Sequence, residues 1–151
     1  MASEFTFVGE NERLEVRVIG FEHSFPERQN AENWLNSTIS VNVGAFTGLF
    51  KTAFTSDDLV MLDEQLRNAL SSKSGPVSFR NRGGDLSLCI EFSHPEYLIL
   101  SGVIQPHCLP HGVLHFRLDT SKAALNRTLR GLEDALRKFG PGILQNRAAW
   151  A

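Results

Sequence analysis

WLNSTISVNVGAFTGLFKTAFTSDDLVMLDEQLRNAL, residues 34–70, changes its hydrophobic period part-way along, and that change decides the fold class. In the first ten residues Leu35, Ile39, Val41 and Val43 share one side of a period-two pattern, and Asn36, Thr38, Ser40 and Asn42 share the other. Such alternation puts one face on a core and the other in water, as in a half-buried strand. Gly44 marks a turn, after which Phe46, Phe50 and Phe54 fall on one side of a second strand and are expected in the core. From Thr55 the spacing becomes helical, with Leu59, Leu62, Leu66, Ala69 and Leu70 on one stripe. Thr55 or Ser56 can cap the first turn, and Asp57 and Asp58 suit its positive dipole end.

The same plan extends in both directions. Upstream, Leu14, Val16 and Val18 alternate with Glu15 and Arg17. Downstream, VSFRNRGGDLSLCIEF (77–92) reads as a hairpin turning at Gly83 and Gly84, followed by the strands YLILSGVI (97–104) and VLHFRLD (113–119). TSKAALNRTLRGLEDALRKFGPG (120–142) then returns to helical spacing through Leu125, Leu129, Leu132, Leu136 and Phe139, and Gly140 and Pro141 stop it. A shift of 66 residues superposes Leu59 on Leu125, Leu66 on Leu132 and Ala69 on Ala135, which suggests a duplicated half. Strands joined mostly by hairpins predict an α+β fold: about eight antiparallel strands with two helices packed on them. The length of 151 residues suits a single domain, with residues 141–151 as a tail.

Composition excludes several classes of function. No apolar run is long enough to cross a bilayer, and MASEFTFVGENE does not read as a signal peptide. The two cysteines, Cys89 and Cys108, do not make a secreted disulfide framework, so a reducing cytoplasm is the expected location. A net charge of −2 does not call for nucleic acid, and Arg127, Arg130, Arg137 and Lys138 are interleaved with Glu133 and Asp134 without an aromatic platform. The charge is divided unevenly: residues 1–64 hold 4 basic and 11 acidic side chains, and residues 65–151 hold 11 basic and 6 acidic. If the acidic half formed a face, Glu12, Glu15 and Glu22 could steer a basic partner.

HCLPHGVLH (107–115) is the one stretch that invites a metal. Pro110 and Gly112 oppose the helix that would let His111 and His115 chelate together, and on a strand those two stand roughly 13 Å apart. His107, Cys108 and His111 could converge in a loop, but they are three ligands at best where structural zinc takes about four. No metal is expected, and His115 reads as a solvent-side residue beside Arg117. There is no nucleophile elbow, phosphate-binding loop or HExxH helix. Cys89 lies opposite the apolar face of its strand and would need a nearby histidine, such as His94 or His107, to act as a nucleophile. Neither a catalytic residue nor a cofactor is expected. Trp34, at a strand start, and Arg80 and Arg82, at the FRNRGG hairpin, are the candidates for gripping a partner.

The quoted strands and helices, in this order, resemble the WapI family of bacterial immunity proteins. The matching text is LEVRVIGFE (14–22), NWLNSTISVNVGAFTGLFKTAFTSDDLVMLDEQLRNAL (33–70), FRNRGGDLSLCIEF (79–92), LHFRLDTS (114–121) and the closing LRKF (136–139). SHPEYL, PHCLPHG and the tail GPGILQNRAAWA have no counterpart in it. The resemblance implies a cytoplasmic antidote that binds one cognate toxin domain stoichiometrically, with no cofactor and no catalysis. Two other readings remain open on the residues: an enzymatic or small-ligand domain using the concave side of a sheet, and a homo-oligomer joined at an uncovered strand edge.

Overall fold

The computed structural model describes residues 2–22, 33–71, 76–107 and 112–141. In chain order the elements are β1 (Ser3–Val8), β2 (Glu12–Phe21), β3 (Trp34–Val43), β4 (Phe46–Thr55), α1 (Ser56–Ser71), β5 (Val77–Arg80), β6 (Leu86–His94), β7 (Tyr97–Ile104), β8 (Leu114–Ser121) and α2 (Lys122–Phe139). The first four strands form one antiparallel sheet in sequential order, here sheet A, and the last four form sheet B in the same way. Each half is therefore a meander followed by a helix, and the α+β expectation of about eight strands and two helices holds. Periodicity does not single out β1, where Phe5 and Phe7 alternate with Thr6 in only six residues.

The halves are interlocked through their helices. α1 follows sheet A but packs on β5, α2 follows sheet B but packs on β1, and the helices also pack on each other. The second contact is so close that a Cβ added to Gly131 would lie 2.5 Å from the carbonyl oxygen of Glu4 and 3.1 Å from the Cα of Phe5. Glycine lets the helix backbone settle directly on the strand edge, and Thr128 Oγ1 donates to the carbonyl of Thr6 at 2.6 Å across that seam. The β1 edge of sheet A is thus shielded where α2 sits on it, which limits unwanted strand pairing there.

The buried apolar side chains of both sheets and both helices join in one cluster, including Phe5, Phe7, Phe54, Leu66, Leu100 and Leu132. The expected stripes on the helices are buried, apart from Leu70 and Leu136, which pack half-exposed on the cluster's rim. One expectation needs correction. Of the three β4 phenylalanines, Phe54 is buried and Phe50 partly so, but Phe46 is 69% exposed. It pairs with Val43 at the tip of the β3–β4 hairpin, beyond the end of the core, and Leu49 on the opposite side of β4 is 75% exposed. Alternation reports which side of a strand a residue is on, and not whether the core extends that far.

Candidate functional site

The Thr-x-x-Asp at residues 55–58 starts both α1 and the polar framework that holds the site. The backbone N–H of Asp58 donates to Thr55 Oγ1 at 3.0 Å, and that of Thr55 donates to Asp58 Oδ2 at 2.8 Å. This is a capping box with Asp in the place usually held by Glu. Thr55 is therefore the cap, whereas Ser56 turns away and donates to the carbonyl of Phe139 at 2.8 Å. The buried Asp58 carboxylate also accepts the backbone N–H of Arg82, at 3.0 and 3.1 Å to its two oxygens.

The β5–β6 loop is fastened at further points. Buried Asn81 donates through Nδ2 to the carbonyl of Ala53 at 3.1 Å and accepts the N–H of Leu86 at 3.0 Å. Buried Asp85 accepts from Thr52 Oγ1 at 2.5 Å and from the backbone N–H of His107 at 2.9 Å. His107 Nδ1 lies 3.2 Å from the same Asp85 oxygen that takes its own N–H. Burying such groups is tolerated only when each finds a partner, and here the partners come from both halves of the chain. The loop is a rigid junction, where the spacing alone suggests a plain glycine turn.

This junction fixes the end of β5, and with it a groove of about 620 Å³ on the outer face of sheet B. Two cross-strand rows form it: Arg80–Ser87–Val103–His115, and Ser78–Cys89–Ser101 leading to Arg117. The depression follows from side-chain size, because Ser78, Ser87, Cys89 and Ser101 are small where neighbouring outward positions carry Arg, Glu or His. Arg80 and His115 close the ends of the first row on the two edge strands, and the lining includes no carboxylate. The outer face of sheet A differs: Arg13, Glu15 and Arg17 share one side of β2, with Arg13 and Glu15 paired at 3.0 Å. The acidic surplus of the first half is interleaved there with basic side chains.

Of the sequence candidates, Arg80 lines the groove, and Arg82 lies in the junction with its backbone held by Asp58. Trp34 begins β3 in the other sheet, half-buried, opposite Thr55. Trp34 and Arg82 thus meet the same capping box from two sides, while Arg80 belongs to a different face. His115 is exposed on β8 as expected, and it joins Arg80 only through the strand register. Cys89 Sγ has Glu91 Oε1 at 4.0 Å, and Cys89 and His115 are in different rows with β7 between them. Two strand spacings and two residues put their backbones roughly 12 Å apart, outside the reach of a thiol–imidazole pair. Among the described residues no three His, Cys, Asp or Glu side chains are grouped as a metal site. Cys108 and His111 lie outside the described residues, as does Trp150 of the tail.

A model of the immunity protein WapI-like family matches residues 6–140, from within β1 to the residue after α2. The chain belongs to the immunity protein WapI-like family. A search of curated proteins finds no match. Membership points to a role in immunity to a toxin, and no helix among the described residues is long and apolar enough to cross a membrane.

Proposed function

We propose that this chain is an immunity protein that binds a cognate bacterial toxin domain in the cytoplasm and neutralises it by occupancy, without catalysis. The family match over residues 6–140 carries the reading, since it takes in both sheets, both helices and the polar junction between them. The surface supports it physically. The buried apolar residues form one shared core, and the groove on sheet B is open, on a sheet face, and without a hydrogen-bonded nucleophile–base pair among the described residues. An open, rigid, sheet-borne surface is suited to a protein partner, whereas catalysis wants reacting groups within hydrogen-bond reach.

The test is a growth rescue. The C-terminal domain encoded by the large open reading frame beside this gene is induced in a permissive cell, with and without this chain. The expected result is that the domain kills and that co-expression restores growth. In a purified assay, toxin activity should then fall linearly with added protein to an end point at equal amounts, as for a tight binder. Killing that persists despite co-expression would overturn the reading, and inactivation by far less than an equal amount would replace binding with turnover.

A further inference from the structure

We infer that the outer groove of sheet B is the toxin-facing surface and that it receives a carboxylate-bearing segment of the toxin, with Arg80 and His115 as its polar anchors. The inference rests on the immunity reading above and adds to it the face and the chemistry of the partner.

Charge complementarity selects the occupant. The lining holds the guanidinium of Arg80 at one end of a cross-strand row and the imidazole of His115 at the other, with Ser87 and Val103 between them. Among the described residues neither of these two side chains has an ion-pair partner, while the neighbouring Arg117 is tied to Asp119 at 3.2 Å. The Arg80 guanidinium lies over Gly84 beside the His107 ring, at the loop end of the row, and can take a carboxylate in fork geometry without first breaking an ion pair. The row crosses sheet B from one edge strand to the other, three strand spacings or roughly 14 Å, about the width of a helix or a hairpin.

Rigidity points to the same face. Arg80 is the last residue of β5, immediately before the junction that Asn81, Asp85 and Asp58 hold in place. Fixing the backbone beside Arg80 removes that part of the ordering cost of binding and leaves only the side chain's own. Sheet A also carries Arg17 and Lys51 in one cross-strand row, but there the carboxylate-bearing Glu4 stands opposite Arg17. On sheet A, Arg13 and Glu15 already satisfy each other, and the exposed Phe46 and Leu49 form an apolar tip with nothing in the structure to say what covers it.

The experiment measures binding of the purified chain to the toxin domain from the adjacent reading frame, at low and high salt. Arg80→Glu reverses the anchor, Ser101→Trp fills the groove, and Arg17→Glu on sheet A serves as a control on a distant face. All three positions are exposed, so native thermal midpoints are expected and are checked alongside. The expected result is a loss of about tenfold or more for the first two, a control within about twofold of wild type, and wild-type affinity that falls as salt rises. Wild-type affinity in both Arg80→Glu and Ser101→Trp would overturn the groove while leaving the immunity function intact. Weakening by Arg17→Glu alone would move the interface to sheet A. Failure of the unmodified chain to bind would overturn the immunity reading, and the groove assignment would fall with it.

Discussion

Arg67 of α1 and Glu133 of α2, 66 residues apart, form an ion pair with Nη2 and Oε1 at 2.5 Å. That separation is also the shift that carries the end of β4 at Thr55 onto the end of β8 at Ser121, and Leu66 onto Leu132. The pair therefore joins equivalent positions of the two halves, as residues on either side of an approximate two-fold axis would be joined. Identical halves would set like charges against each other there, whereas Arg67 and Glu133 make the contact attractive.

Glu133→Arg should consequently destabilise the fold slightly at low salt, and high salt should remove the difference, because both side chains are about half exposed. Exchanging the two charges should recover only part of the loss, since Asp63, 3.0 Å from Arg67, would then face a glutamate. Urea unfolding of the wild type and the two variants at two salt concentrations checks this. Full recovery on exchange would show that Asp63 contributes nothing.

Gly131→Ala sets two effects against each other. Alanine in a helix interior gains about 1 kcal/mol over glycine. Here the new methyl would meet the Glu4 carbonyl at 2.5 Å and the Phe5 Cα at 3.1 Å, both backbone atoms that cannot swing aside. Overpacking of that kind costs about 1–3 kcal/mol, so the steric term should win and the thermal midpoint should fall. A rise in the midpoint would mean that α2 can lift from β1 freely.

The buried carboxylate of Asp58 caps α1 and accepts the N–H of Arg82. Asp58→Ala should keep Thr55 as the cap but lose the reciprocal half of the box, leaving the N–H groups of Thr55 and Arg82 without their acceptor at about 1–3 kcal/mol each. Asp58→Asn, which keeps one acceptor oxygen, should lose less. Amide exchange is the sharper readout: in Asp58→Ala the N–H groups of Thr55 and Arg82 should both lose protection. Continued protection of Arg82 would show that Asn81 and Asp85 alone hold the junction.

How much of this is visible without coordinates depends on how local the cause is. β2, β3, β5 to β8 and both helices are legible because each buries one face, and a single periodicity expresses that, whereas β4 carries the period but reaches the core only at its end. The Thr55–Asp58 box is spelled in four letters, but its second duty, to Arg82 in the β5–β6 loop, is a tertiary fact. The seating of α2 on β1 joins Thr128 to Thr6, 122 residues away, and leaves only Gly131 as a trace. The groove is the least legible feature. Arg80 and His115 each read as exposed polar residues, and only the registers of three strand pairs put them in one row.

Ser3 and Asp134 offer a pH test of the same seam between the halves. Buried Ser3 donates through Oγ to Asp134 Oδ2 at 2.6 Å, and Lys138 approaches that oxygen at 3.1 Å. Ser3 first, and Lys138 after it, hold the Asp134 carboxyl below its ordinary value of 3.8. A carboxylate whose folded pKa is depressed stabilises the fold fully above its unfolded pKa, and that contribution is lost as pH falls through the folded one. Ser3→Ala should therefore raise the Asp134 midpoint towards 3.8, as followed by side-chain carboxyl chemical shifts. The stability gap between wild type and Ser3→Ala should be constant above about pH 5 and narrow below it. A gap that widens in acid would mean that Ser3 serves the neutral carboxylic acid, and that the charge on Asp134 does not help to bind α2 to β1.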